Sequence, residues 1–378
     1  MILLDAAATT PVRRAALEAA WPYLTGTFGN ASSVHEPGLA AARGLGGARA
    51  ALAEFLGCRA SEVTFTSGGT EGANLCIKGL ALASPRGRHV VTTRIEHEAV
   101  LESVAYLARV HGFAVDYADT DATGLLHPEA VRAVLRPDTS LVTVGWANNE
   151  VGTVQDVAAL ASVAHEAGAL FHTDAVQAAA SLPVAMGELG VDALSFSGHK
   201  LGAPKGSGAV FVRAGVPLEP LLHGGGQERG RRSGTENVAW AVALAAACAE
   251  LATEHRSSEN GASSAAERDF VTTALERIAG TRLTGHPTQR LPRHASFVVP
   301  GVNGETVLLE LERRGVIASA GSACAAGRTE PSHVLLALGH TADEAAAAVR
   351  FTWTGEVSAE ELREASVAFS DAVAAVRG

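Results

Sequence analysis

Between about residues 60 and 215, short runs rich in β-branched and apolar residues recur along the chain. They are Val63-Thr-Phe-Thr66, His89-Val-Val-Thr-Thr93, Ala114-Val-Asp-Tyr117, Ser140-Leu-Val-Thr-Val144, Ala169-Leu-Phe-His-Thr173, Ala193-Leu-Ser-Phe196 and Gly208-Ala-Val-Phe-Val212. Most are separated by stretches with apolar positions at helical spacing, such as Asp156 to Ala167. This alternation predicts an α/β fold, a large and mostly parallel seven-stranded sheet covered on both faces. The last two runs are joined by a loop too short for a crossover helix, so one strand there is expected to run antiparallel. A long helix is predicted over Asn237 to Glu254, followed by a polar, glycine-containing stretch from His255 to Ser264 that reads as a linker or an irregular connection. From about residue 266 the pattern gives a helix, strands around Ala295 to Val299 and Val316 to Ser319, and then two helices, a smaller α+β lobe. No fixed-period repeat is present.

Composition narrows the class. A chain of 378 residues with 47% hydrophobic and 19% charged positions is long enough for two lobes and far from the polar signature of disorder. The apolar run Ala239 to Ala249 ends at Glu250, too short to suggest a membrane span, and the first residues lack the basic and apolar regions of a secretory signal. A cytoplasmic protein with no membrane partner is expected. The formal charge of −10 disfavours non-specific binding to nucleic acid, although Arg229, Arg231 and Arg232 form a local basic patch able to hold a phosphate. Cys58, Cys76, Cys248 and Cys324 are too widely spaced for a zinc motif and too few to staple the chain, and no metal site is expected.

In open α/β sheets ligands bind beyond the carboxyl ends of the strands. After the first run comes Ser67-Gly-Gly-Thr-Glu-Gly-Ala-Asn74, a glycine-rich turn opening a helix, whose free N–H groups suit a phosphate; a plain turn with a helix cap is the other reading. It matches neither dinucleotide nor Walker fingerprints, so nicotinamide and ATP readings lose their support. Lys200 sits in Ser195-Phe-Ser-Gly-His-Lys-Leu-Gly, just past a buried strand. There it is either an exposed loop lysine or a nucleophile toward carbonyls. Asp174 also ends a strand, and an acid there suits a protonated pyridine nitrogen.

These segments, with Asp5-Ala-Ala-Ala-Thr-Thr-Pro11, Phe28-Gly-Asn-Ala-Ser-Ser33, Glu96-His97, Asn148-Asn-Glu150, Arg232-Ser-Gly-Thr235, Gly321-Ser-Ala-Cys324 and Arg350-Phe351, follow one another in the order found in cysteine desulfurases. The chain resembles that family, enzymes of fold-type I in the class V aminotransferase group that depend on pyridoxal 5'-phosphate (PLP). The resemblance spans nearly the whole length. It implies a PLP-binding domain over residues 12–258 and a small domain formed by 1–11 and 259–378. Lys200 would carry the cofactor, Asp174 would pair with its ring nitrogen, His97 would stack on the ring and Gln177 would bond its phenolic oxygen. The phosphate would sit among Gly69, Thr70, Ser197 and His199, with Thr235 reaching it from a second subunit of a homodimer. Arg350, assisted by Asn149, would clamp the substrate carboxylate, as an arginine fork does well. Each has a structural alternative: His97 as a strand-end histidine, Asn149 as a turn former, Thr235 as a helix cap and Arg350 as an ion-pair partner.

Cys324 separates sulfur transfer from generic PLP chemistry. It lies among small residues that have little to bury, whereas Cys58, Cys76 and Cys248 have apolar neighbours and read as structural. By the resemblance, Cys324 takes sulfur from L-cysteine as a persulfide, leaving L-alanine. Since only the thiolate is competent, deprotonation of the substrate thiol by His97 is one expectation. The segment after Cys324 resembles the long-loop group that supplies sulfur-acceptor proteins for iron–sulfur assembly or thiolation. Ala320 and Gly202-Ala203 depart from the usual residues without removing a needed group. The rival readings are a selenocysteine lyase or class V transaminase on the same scaffold, and a non-catalytic sulfur-relay scaffold.

Overall fold

The computed structural model describes residues 1–257, 264–320 and 331–378. The lobe boundary expected at 258/259, and residues 258–263 of the expected linker, lie outside them. The first strand, β1 (Ile2–Leu3), belongs to the C-terminal lobe. The large sheet contains β2 (Val63–Thr66), β3 (His89–Thr92), β4 (Ala114–Tyr117), β5 (Thr139–Gly145), β6 (Leu170–Asp174), β7 (Ala193–Ser197) and β8 (Gly208–Val212). Their spatial order is β2-β8-β7-β6-β5-β3-β4. All run parallel except β8, which is antiparallel to both of its neighbours. The short β7–β8 connection therefore does what the sequence predicted. Because β2 runs with β6 and β7, the glycine-rich turn, Asp174 and Lys200 all emerge at the same edge of the sheet.

Alternation along the strands feeds two cores. Ala193, Val210 and Val212 pack beneath helix Gly69–Ala83, with Leu75, Ile77 and Leu80. Their chain neighbours Leu194, Phe196 and Phe211 face the opposite layer, with Phe171 and Leu160. Helix Val157–Glu166 is capped by Asp156, whose carboxylate accepts from Ala159 N–H at 3.1 Å.

Two long helices, Arg14–Leu24 and Glu36–Leu56, are absent from the sequence expectation and pack on helix Val238–Ser257. The second carries Gly38, Gly44, Gly46 and Gly47, residues that weaken helix propensity, but a buried stripe of Ala41, Leu45, Ala48, Leu52 and Leu56 stabilises it. Gly44 is required by close packing: a Cβ there would stand 2.3 Å from the Tyr23 ring.

The C-terminal lobe contains β9 (Arg282–Leu283), β10 (His294–Val298), β11 (Val316–Ile317) and β12 (Ala348–Thr352). β12, β10 and β9 form an antiparallel sheet, and β1 pairs in parallel with β11. Ile2 and Leu4 join Phe270, Phe297, Phe351 and Phe369 in one core. Instead of two helices after Ser319, the described residues form His333–Ala337, Ala342–Ala346 and Ala359–Arg377, with β12 between the last two. The alanine-rich residues before β12 form the helix Ala342–Ala346, and the β-branched and aromatic residues Val349 and Phe351 that follow pair with β10. No helix among the described residues is long and apolar enough to cross a membrane.

Candidate active site

A cavity of about 300 Å³ opens at the carboxyl edge of the large sheet, closed on one side by residues 7–8 and by Arg350 of the other lobe. Gly69, Thr70, His97, Asn149, Asp174, Gln177, Ser197, His199, Lys200 and Arg350 all line it. Residues far apart in sequence therefore converge because three strand ends and the N-terminal segment meet there.

β6 delivers Asp174 into the cavity. One carboxylate oxygen accepts from Val176 N–H at 2.9 Å, and the other has no hydrogen bond among the described residues. Burial raises the affinity of Asp174 for a proton, and the Val176 N–H and the charge of Lys200 counteract this. β7 ends at Ser197, and the following tight turn, Gly198–Lys200, directs the lysine inward. Lys200 Nζ donates to the carbonyls of Ala7 and, at 2.7 Å, Ala8; Gln177 Nε2 donates to Ala7 O at 3.1 Å. His199 pairs with Thr9 Oγ1 at 3.1 Å, and burial beside Lys200 lowers its pKa to about 4, so it is neutral.

The glycine-rich turn enters helix Gly69–Ala83 against Ser197. A Cβ at Gly69 would lie 2.6 Å from Val176 Cγ2 and 3.3 Å from Ser197 Cβ, so only glycine brings this helix end so close. His97 caps helix Glu98–His111, its Nδ1 accepting from Ala99 N–H at 3.0 Å. Nδ1 therefore holds a lone pair and neutral His97 carries its proton on Nε2. That tautomer presents Nε2–H as a hydrogen-bond donor.

The side chain of Arg350 is only 2% exposed. Its Nη2 donates to Asp5 Oδ1 and its Nη1 to Asn149 O, both at 3.0 Å. Glu96, 5% exposed, accepts from Thr93 Oγ1 at 2.7 Å and from Gly145 N–H at 2.8 Å. Burial pushes its pKa up to about 7, and the charge of Asp174 adds to the effect.

One described residue of the expected set, Thr235, does not line this cavity. Thr235 lies in a separate depression beside Ser67, Gly206, Ser207 and Arg232 of the same chain. Cys324 lies outside the described residues. The chain enters the undescribed segment after Ser319, which is bridged to Arg350, and leaves it before Ser332, whose hydroxyl donates to Glu150 at 2.5 Å. The basic patch is not an open phosphate site. Arg229 and Arg231 donate to the carbonyls of Val63 and Ser61, and Arg232 pairs with Glu71. Asp5, Glu96 and Glu150 enter the site without having been given a role from sequence, although each falls in a motif segment.

This donor set fits PLP. A buried acid can hold a protonated ring nitrogen, an inward lysine can bind its aldehyde, and a helix N-terminus can take its phosphate. The model of the class-V aminotransferase family matches residues 2–363. The chain belongs to this family. Its cofactor is PLP, held covalently by a lysine in the resting enzyme. Within the family, the chain is 44% identical to the cysteine desulfurase IscS of Methanosarcina thermophila over 89% of its own length and 83% of the relative's. A solved NifS-like protein superposes with a TM-score of 0.87 at 34% identity, covering 99% of both chains. The structure titled SspA in complex with cysteine gives 0.81 at 34% identity, covering 93% of this chain and 98% of that one.

Proposed function

We propose that this class-V family member is a PLP-dependent cysteine desulfurase, converting L-cysteine and the Cys324 thiol into L-alanine and a Cys324 persulfide. The observation that carries this reading is the convergence of Asp174, Lys200 and Arg350 on one cavity, in a chain whose relatives include cysteine desulfurases.

PLP, held by Lys200, Asp174, Gln177, His97 and the phosphate cradle of Gly69, Thr70, Ser197 and His199, supplies an electron sink for bonds broken at the substrate's carbon skeleton. Arg350 and Asn149 orient the substrate through its carboxylate. Arg350 is pre-organised for this because Asp5 and the Asn149 carbonyl already fix its guanidinium. Lys200 Nζ takes the Cα proton, and the Nε2–H of His97 serves as a hydrogen-bond donor in the cavity. The Cys324 thiolate forms an S–S bond as the substrate's C–S bond breaks. The electron pair stays with the carbon skeleton, which gains a proton and leaves as alanine. The other cysteines suit this poorly: Cys76 and Cys248 are fully buried, and burial raises Cys58 to about 11.

The active unit is a homodimer in which the partner's loop completes the phosphate site through the residue equivalent to Thr235. The position of Thr235 outside its own cavity supports this, as do the exposed apolar side chains Trp21, Leu24, Phe28 and Val34. Residues 1–11 work with 259–378 as one lobe. The enzyme acts in the cytoplasm, and its persulfide passes to acceptor proteins for iron–sulfur assembly or thiolation, following the resemblance of the segment after Cys324.

The test mixes holoenzyme with L-cysteine and measures alanine and protein-bound persulfide in wild type and C324S. Wild type is expected to form both, while C324S keeps the substrate-induced colour change and forms no persulfide. Equal sulfide release by both proteins would overturn the sulfur-transfer reading in favour of a lyase that does not use Cys324. A protein that takes up no PLP would favour the non-catalytic scaffold.

A further inference from the structure

The turn at 148–152 presents a backbone carbonyl to the C-terminal lobe, and two side chains from that lobe converge on it. Arg350 Nη1 donates to Asn149 O at 3.0 Å, and His294 Nε2 lies 3.2 Å from the same atom. The turn is held rigid from within. Asn148 Oδ1 accepts from Glu150 and Val151 N–H at 2.9 and 3.0 Å, and Asn148 Nδ2 donates to Ile95 O at 2.8 Å.

His294 opens β10, pairs in register with Thr352 and is 5% exposed. A carbonyl can only accept, so Nε2 must carry the proton. Nδ1 is then a buried lone pair, and it has no hydrogen-bond partner among the described residues. Leaving that nitrogen unpaired is costly. The ring is also fitted at the expense of its neighbour: Gly152 has φ +79°, and a Cβ there would lie 2.6 Å from His294 Nδ1. Arg290 Nη2 donates to the His294 carbonyl at 3.2 Å, fixing its backbone. Burial and the charges of Arg290 and Arg350 lower the pKa of His294 to about 3, so the ring stays neutral and keeps this single tautomer at working pH.

We propose that His294 is a positioning residue for the substrate carboxylate: by sharing the Asn149 carbonyl with Arg350, it fixes where the guanidinium fork lies. His294 itself does not line the active-site cavity. The proposal rests on Arg350 being the carboxylate clamp. It predicts that removing the Nε2–H loosens the fork and weakens binding of any substrate held by its carboxylate, while the chemical step is spared.

The test compares holoenzyme of wild type, H294F, H294Q and R350A. It reads kcat and KM for L-cysteine, the Kd of L-alanine from titration of the cofactor absorbance, and the melting temperature. H294F keeps a ring but loses the donor, and its KM and Kd are expected to rise about three- to tenfold, the scale of one lost hydrogen bond. Its kcat should stay within about twofold. H294Q can offer an N–H to the same carbonyl and should recover most of the loss. Unchanged KM and Kd in H294F, with R350A impaired, would overturn the positioning role and leave the clamp standing. Unchanged values in R350A would remove both. Equal impairment of H294F and H294Q, with equally lowered melting temperatures, would show that the ring only fills space and would also overturn the proposal.

Discussion

Glu96 shows how much of the site depends on single buried charges. Its carboxyl lies between Thr93 and Gly145, near Asp174 and His97, and keeps its proton up to about pH 7. An unfolded glutamate releases that proton near its ordinary value of 4.5. The folded state therefore binds it more tightly, and the resulting stabilisation is complete below about pH 4.5 and lost as pH rises through about 7. E96Q carries no such proton. Its melting temperature should gain on wild type between about pH 5 and about pH 8, with a ceiling near 3 kcal/mol for the full shift. A difference independent of pH would show that Glu96 is not the titrating group. Lys200 and Asp174 were legible at this scale because each directly follows a strand-like run. Asp5, 345 residues away from Arg350 in sequence, was not. Nothing local marks it as the partner of a guanidinium, and the pair exists only because the first residues return to the C-terminal lobe.

At the scale of elements, the proposed phosphate cradle depends on how closely β8 approaches the glycine-rich turn. A Cβ at Gly208 would stand 2.6 Å from Gly68 Cα and 2.8 Å from its carbonyl carbon, and backbone on both sides leaves nothing flexible to yield. G208A should therefore destabilise the protein by about 1–3 kcal/mol and push the turn away from Ser197. Melting curves should show the first effect, and a raised dissociation constant for PLP the second. A variant that holds PLP as tightly as wild type would contradict this account of the cradle. All seven strands of the large sheet were readable from sequence because β-branched and apolar residues cluster in short runs between the helical stretches. Helix Glu36–Leu56 was missed because its glycines mask a stripe whose value comes only from packing on helix Val238–Ser257. β12 was not separated from the helices around it because it is only five residues long and closely follows the alanine-rich helix Ala342–Ala346.

At the scale of the molecule, the cavity is a joint product of two cores. The sheet supplies Asp174 and Lys200, and the C-terminal lobe supplies Arg350. That β1 pairs with β11 could not be read from local pattern, because parallel pairing over such a separation leaves no local signature. Dimerisation belongs to this scale as well. Light scattering should give twice 38.6 kDa, and W21E/F28E, which charges the exposed apolar face, should shift the mass toward the monomer and weaken PLP retention together. A fully active monomer would refute a phosphate site shared between subunits.

The central claim is that an amine at one strand end anchors the cofactor on which the chemistry depends. Borohydride reduction of the holoenzyme followed by peptide mass spectrometry tests it most directly. The account predicts a pyridoxyl group on Lys200, absent from K200A. A fully PLP-supplied protein with no adduct on Lys200, or with the adduct on another lysine, would contradict it.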